Sequence, residues 1–250
     1  MNQKRIYEKI SAHNGLGVRI KRSLCFYSPA QVLNGMTKAG EVTRWLSFIQ
    51  KNYKPPSRDL LLIYPCSTEK PYSRSRSYKQ LYKTLNSLGQ DRARIHLVTI
   101  SEPFGLVPEE FYSAWSNWYD CPGLFEWWCD KYGLPYSQSD ADQCIAILAT
   151  CVAGFLSKVK KAGSYSKMVA FVRTYSSSLR STRDHTHRRI LEKASTIAKA
   201  DLEILPGRRL VRRIVREKGR LAWDMYGISH PMSQQFLLGR MKTALRESRA

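Results

Sequence analysis

The passage that most narrows what this chain can fold into is Leu60-Leu61-Leu62-Ile63-Tyr64, which runs directly into Pro65-Cys66-Ser67-Thr68-Glu69-Lys70. A continuous apolar run of that length does not alternate, so it suits a strand covered on both faces, as the central strands of α/β sheets are. The turn that follows then lies at a strand's carboxyl end, where open α/β sheets form their ligand crevices. No other stretch gathers so much reactive chemistry. Cys66 and Lys70 are followed by Tyr72, by the hydroxyls of Ser73, Ser75 and Ser77, and by Arg74 and Arg76.

The flanking sequence supports a strand, helix, strand succession. Ser28-Pro29 reads as a helix cap followed by a first-turn proline. A helix is expected over 29–50, weakened near Gly35 and Gly40 and ended by Pro55-Pro56. After the motif loop, Leu81, Leu85 and Leu88 mark a helix over 78–88, and residues 94–100 read as the next strand. That order implies a parallel crossover. Aromatic residues are dense over 111–128, among them Trp115, Trp118, Trp127 and Trp128, and suit either core filling or base stacking. A long amphipathic helix is expected over 139–161, a further central strand over 168–172, and a terminal helix over 231–249 capped by Ser229 or Ser233. The fold class expected is α/β, a three-layer sandwich with a mostly parallel sheet plus a basic helical carboxyl-terminal extension. The division falls at 1–175 and 176–250, with both parts packed on one core.

The 250 residues suffice for one ample core, and an apolar share of 43% is that of a folded chain. The longest apolar run looks too short to span a bilayer, and the first residues lack a secretory h-region, so a cytoplasmic protein with no membrane partner is expected. Six cysteines without a C-x2-C pair read as reduced thiols; Cys144 and Cys151, seven apart on one helical stripe, read as core. His185 and His187 show no acidic or thiol partner in the sequence, so neither a metal nor a cofactor is expected.

A net charge of +21 calls for a polyanionic partner. After residue 150 there are 22 Lys and Arg against 7 Asp and Glu, so most of the excess lies there. Residues 208–216 place Leu210, Val211, Ile214 and Val215 on one helical face and Arg208, Arg209, Arg212, Arg213 and Arg216 on the other. With Arg74, Arg76, Arg188 and Arg189, these are the expected nucleic-acid contacts.

Pro65, Cys66, Lys70, Pro71, Tyr72 and Ser75 match the pattern P-C-x3-K-P-Y-x2-S-x2-H in register, with Tyr78 in place of the final His. Glu102-Pro103-Phe104-Gly105-Leu106-Val107-Pro108 and Tyr119-Asp120-Cys121-Pro122 follow in the same order as two further motifs. Over residues 58–125 the chain resembles the core catalytic domain of archaeosine synthase, which acts on 7-cyano-7-deazaguanine in tRNA and adds an amine to its nitrile. The resemblance implies nitrile chemistry. Within it Cys66, by type and by its place four residues before Lys70, is the expected nucleophile, or else only shapes the pocket while an activated water or amine attacks directly, and Lys70, Glu102 and Asp120 are the expected acid, base and charge partners. Pro65, Ser67, Tyr72, Ser75, Gly105 and Tyr119 are expected to bind the substrate, and Glu102 is also placed to read a guanine-like edge. A core-like domain beside an arginine-rich tail resembles the bacterial DNA 7-deazaguanine-modification proteins. The expectation is therefore hydration of the nitrile to 7-amido-7-deazaguanine in DNA, beside a transglycosylase-like partner that inserts the base. Amine or ammonia addition in tRNA or DNA, and nucleic-acid binding without catalysis, are the alternatives.

Overall fold

The computed structural model describes residues 20–67, 69–113, 119–121, 123–126, 129–130, 133–173 and 186–248. The expectations placed on Trp115, Trp118, Pro122, Trp127, Trp128, His185 and Arg249 fall outside those residues.

Five strands form one sheet in the order β3-β2-β1-β4-β5. The apolar run becomes the central strand β1 (Leu60–Pro65), flanked in parallel by β2 (Ile95–Ser101) and β4 (Lys167–Phe171). Leu62 stands opposite Leu97 on one side and Val169 on the other. Every residue from Leu60 to Tyr64 is fully buried, which stabilises the fold by about 2 kcal/mol per side chain. The sheet is closed at one edge by the short antiparallel β3 (Gly105–Pro108) and at the other by the parallel β5 (Glu203–Leu205). Neither edge strand stands out in the sequence, because each is only a few residues long.

The helix expected over 29–50 is two helices. In α1 (Pro29–Thr37) the cap is as expected, Ser28 Oγ accepting from the Gln31 amide at 3.4 Å. The chain then turns extended at Lys38, and α2 (Glu41–Ser47) starts at Gly40, whose amide donates to Thr43 Oγ1 at 2.9 Å. A π-helical turn over Phe48–Asn52 continues it. The break falls at Gly40 and not at Gly35, which stays helical. A Cβ on Gly35 would stand 2.5 Å from the Phe26 ring, so that glycine serves close packing.

On one face of the sheet lie α3 (Arg76–Asn86) and the terminal helix α8 (Pro231–Glu247), which pack on each other. On the other, α4 (Gln138–Ala162) packs against α1 and against α5 (Thr186–Ala198). Ser137 caps α4 by accepting from the Asp140 amide at 3.1 Å, and Gly163 ends it in the left-handed region at φ +60°. Contrary to expectation, α4 is long and apolar enough by length and composition to cross a bilayer. It is a core helix instead: eleven of its side chains are buried, Cys144 and Cys151 among them.

The segment after residue 176 supplies β5, α5, the arginine helix α6 (Arg208–Lys218), the short helix α7 (Arg220–Tyr226) and α8. Ile190, Leu191, Leu210, Trp223 and Leu237 share one buried cluster with Leu60 and Leu97. The cap of α8 is neither Ser229 nor Ser233. His230 Nδ1 accepts from the Met232 amide at 3.2 Å, and burial, with Lys218 nearby, lowers its pKa and keeps it a neutral acceptor.

Candidate active site

The motif cysteine lies where the strand order places it. The Cys66 amide donates to the Ile100 carbonyl at 2.9 Å, one step beyond the last pair of the β1–β2 ladder. Glu102 follows the last residue of the neighbouring β2, so the two side chains emerge from adjacent strand ends. A third element completes the group. Thr186 and His187 open α5, whose buried Ile190, Leu191, Ala194 and Ala198 hold its face against the core.

His187 Nε2 lies 2.8 Å from Glu102 Oε2 and 3.8 Å from Cys66 Sγ. Thr186 Oγ1 donates to Glu102 Oε1 at 2.5 Å, so both carboxylate oxygens have partners. Burial by itself raises the Glu102 pKa, but the His187 charge and the hydrogen bonds from His187 and Thr186 outweigh it and hold the carboxyl below its ordinary range. Burial likewise opposes a charged His187; the Glu102 carboxylate and the Cys66 sulfur outweigh it and push the imidazole up to about 10. The pair is therefore a carboxylate and an imidazolium at neutral pH, held against a thiol.

These groups face a cavity of about 280 Å³ whose wall includes Tyr64, Pro65, Cys66, Ser67, Glu102, Cys121, Thr186 and His187, with Met225 and Tyr226 of α7 opposite. A second cavity of about 620 Å³ adjoins it, sharing Ser67, Ser77, Met225 and Tyr226 and adding Glu69, Ser75 and Arg76. Cys121, buried beside Glu102, has its pKa pushed up by burial, so it stays a thiol.

The other expected site residues lie elsewhere. Lys70 is fully buried with its ammonium 4.4 Å from the centre of the Tyr119 ring. Asp120 is fully buried and accepts from the Tyr27 hydroxyl at 2.9 Å, while its backbone pairs with Leu24 and Phe26. Neither residue lines the cavity. Tyr72 and Tyr119 share a hydrogen bond of 2.6 Å in a buried phenol cluster, with Ser101 against Tyr119. Burial raises the pKa of both, so they remain protonated. Tyr78, at the position of the motif's histidine, joins this cluster, donating to the Pro65 carbonyl at 3.1 Å and meeting Thr99. Gly105 makes the turn into β3 at φ +64°, where a Cβ would meet Leu46 at 3.3 Å.

Among the expected phosphate contacts, Arg74 and Arg76 are exposed; Arg76 lines the second cavity, its guanidinium over the Tyr226 ring at 5.1 Å from the centre. Arg208, Arg209, Arg212, Arg213 and Arg216 are exposed on α6. Arg188 and Arg189 are tied to Glu192 and Asp142, at 2.6 and 2.7 Å.

His187 is the residue that sequence reasoning missed. The expectation that it has no acidic or thiol partner is corrected by the structure, which supplies both from residues 85 and 121 positions earlier. Cys66, Glu102 and His187 are also a donor set that can hold a metal ion, their ligand atoms lying within 4.8 Å of one another. A thiolate, an imidazole and a carboxylate suit zinc, and such a site would leave a fourth position open.

The sequence profile of the family described as "Domain of unknown function (DUF5591)" matches residues 42–205, which takes in the central sheet and all three residues of this group. The archaeosine synthase subunit alpha of Thermoplasma acidophilum is 39% identical over 94 residues, covering 36% of this chain and 18% of that protein. That of Thermococcus kodakarensis is 33% identical over 109 residues, covering 43% and 18%. That of Methanosarcina acetivorans is 44% identical over 70 residues, covering 28% and 11%. The matched stretch thus spans less than a fifth of these relatives' length. The chain belongs to the DUF5591 family.

Proposed function

From that membership and the likeness to archaeosine synthases, we propose that the chain acts on the nitrile of a 7-cyano-7-deazaguanine base carried in nucleic acid. The observation that carries the reading is the meeting of Cys66, His187 and Glu102 in one cavity at the carboxyl ends of β1 and β2. A nitrile carbon is a modest electrophile, so its enzyme must bring a nucleophile to carbon and a proton to nitrogen.

Cys66 sulfur attacks the carbon, forming a C–S bond as one π bond of the nitrile opens, while His187 gives a proton to the nitrogen and takes up the one the sulfur gives up; the product is a thioimidate, with His187 charged as before. An amine then adds to the same carbon, the C–S bond breaks and the thiol is restored, leaving an amidine. Glu102 holds His187 charged and oriented. With both oxygens already engaged by Thr186 and His187, it is poorly placed to read a base edge. Ser67 and Pro65 border the base, and Ser75 and Arg76 border the sugar and phosphate in the adjoining cavity. Lys70 and Asp120 act from behind the wall, bracing Tyr119 and the Tyr27 segment.

The archaeosine synthase relatives favour an amine and tRNA over the water and DNA expected from the sequence. We assign a reducing cytoplasmic setting, in which Cys66 stays a thiol, and a transglycosylase-like protein as supplier of the base. Mass spectrometry of nucleosides, after incubation of cyano-modified tRNA and DNA with the protein and an amine, tests this. Amine addition shifts the base by the mass of the whole amine, whereas a shift by the mass of water restores the hydration reading. No shift in either nucleic acid leaves the nitrile reading without support.

A further inference from the structure

Helix α7 turns its apolar side outward. Leu221 is 71% exposed, Met225 69% and Tyr226 41%, and these are three of the four exposed large apolar residues among those described. The spacing explains how: Leu221 and Met225 are one turn apart on the outer face, while Trp223 between them is fully buried and pins the opposite face. Gly219 and Gly227 bound the helix at φ +85° and +50°, conformations that suit glycine. Met225 and Tyr226 stand in the wall of both cavities, so the exposed side of α7 lies against the mouth of the candidate active site.

Exposed apolar side chains in a cluster mark an interaction surface, and the charges around this one indicate the partner. The Arg76 guanidinium stands over the Tyr226 ring at 5.1 Å from its centre, Arg173 donates to the Asp224 carbonyl at 3.1 Å on the same helix, and Arg220 opens it. On a chain of net charge +21, an aromatic ring and two aliphatic side chains framed by guanidinium groups fit a base with its phosphates. Single-strand binders use such platforms.

We propose that the outer face of α7, with Tyr226 and the Arg76 guanidinium over its ring, is a platform for an unpaired base beside the one held at Cys66. This deepens the nucleic-acid reading above and rests on it. It implies that the protein takes its target from a loop or single strand and not from within a duplex.

Fluorescence anisotropy tests it, with labelled DNA and RNA single strands of about nine nucleotides and the duplex of the same sequence, all lacking the nitrile base. The wild type is expected to bind the single strands more tightly. Tyr226→Ala should weaken them roughly tenfold and the duplex by less than about twofold, and Tyr226→Trp should retain single-strand affinity and show quenching of its fluorescence on binding. Unchanged single-strand affinity in Tyr226→Ala, or an equal loss on strand and duplex, overturns the platform. So does a wild-type dimer that dissociates in Leu221→Ser on sedimentation, because the face would then belong to a second copy. Binding is read without turnover. A chain that discriminates strands in this way but leaves nitriles untouched overturns the chemistry at Cys66 and not the platform.

Discussion

The sheet has a cavity at each end, and the two differ in kind. At the amino ends of β4 and β5, about 410 Å³ is lined by Lys167, Glu203 and Arg240 among others. Two of its charges are paired near solvent: Arg240 with Glu203 at 2.7 Å, and Lys167 with Glu247 at 3.3 Å. At the carboxyl ends, about 280 Å³ holds a thiol, a carboxylate only 2% exposed and an imidazole. What sets the two ends apart is the kind of charge each holds. Partly exposed pairs stabilise by about 1 kcal/mol or less, whereas the carboxyl-end group keeps a buried charge pair against a thiol, the setting in which perturbed titration marks a candidate site.

Substitutions at both ends test that contrast. Cys66→Ala should lower turnover by about a thousandfold or more, read by nucleoside mass spectrometry; a residual rate within tenfold would move the nucleophile elsewhere. His187→Asn removes the proton donor and should cost roughly a hundredfold in rate. Because it strands a buried carboxylate, it should also cost about 3 kcal/mol in urea unfolding. Zinc competes with the proton on His187 for the same donors, so micromolar Zn²⁺ should inhibit and a chelator should restore activity.

The pH response follows from the two shifts. His187 is raised, so its contribution to stability is full below the ordinary imidazole value and is lost as pH climbs through about 10. Glu102 is lowered, so its contribution is present above the ordinary carboxyl range and lost as pH falls through its depressed value. The Tm difference between wild type and His187→Asn should be full below about pH 6.5, narrow steadily as pH rises beyond it and be gone above about pH 10. The smallest effect belongs to the other end: Arg240→Ala should cost less than about 1 kcal/mol and leave turnover unchanged.

How much of this could be read in advance divides along chain distance. The run at 60–64, the Ser28 cap and the Cys66 loop are local signals, each set by neighbours within a few residues. Glu102 was legible because it ends the strand beside β1. His187 was not, since its partners lie in other strands and nothing adjacent to it is acidic or sulfur-bearing. The apolar spacing Ile190, Leu191, Ala194, Ala198 was its available trace, marking a core helix that begins at Thr186. Lys70 and Asp120 belong to motifs with the expected chemistry, but their burial against Tyr119 and Tyr27 is decided by packing that residue type does not reveal.

The late arrival of α5 in the chain has one more consequence. During synthesis the thiol and the carboxylate emerge long before the imidazole, so a ribosome-bound or truncated intermediate carries an inert pair. On the proposed chemistry, competence then becomes a report that the segment carrying α5 has docked, and a chain stopped short of residue 187 should leave nitriles untouched.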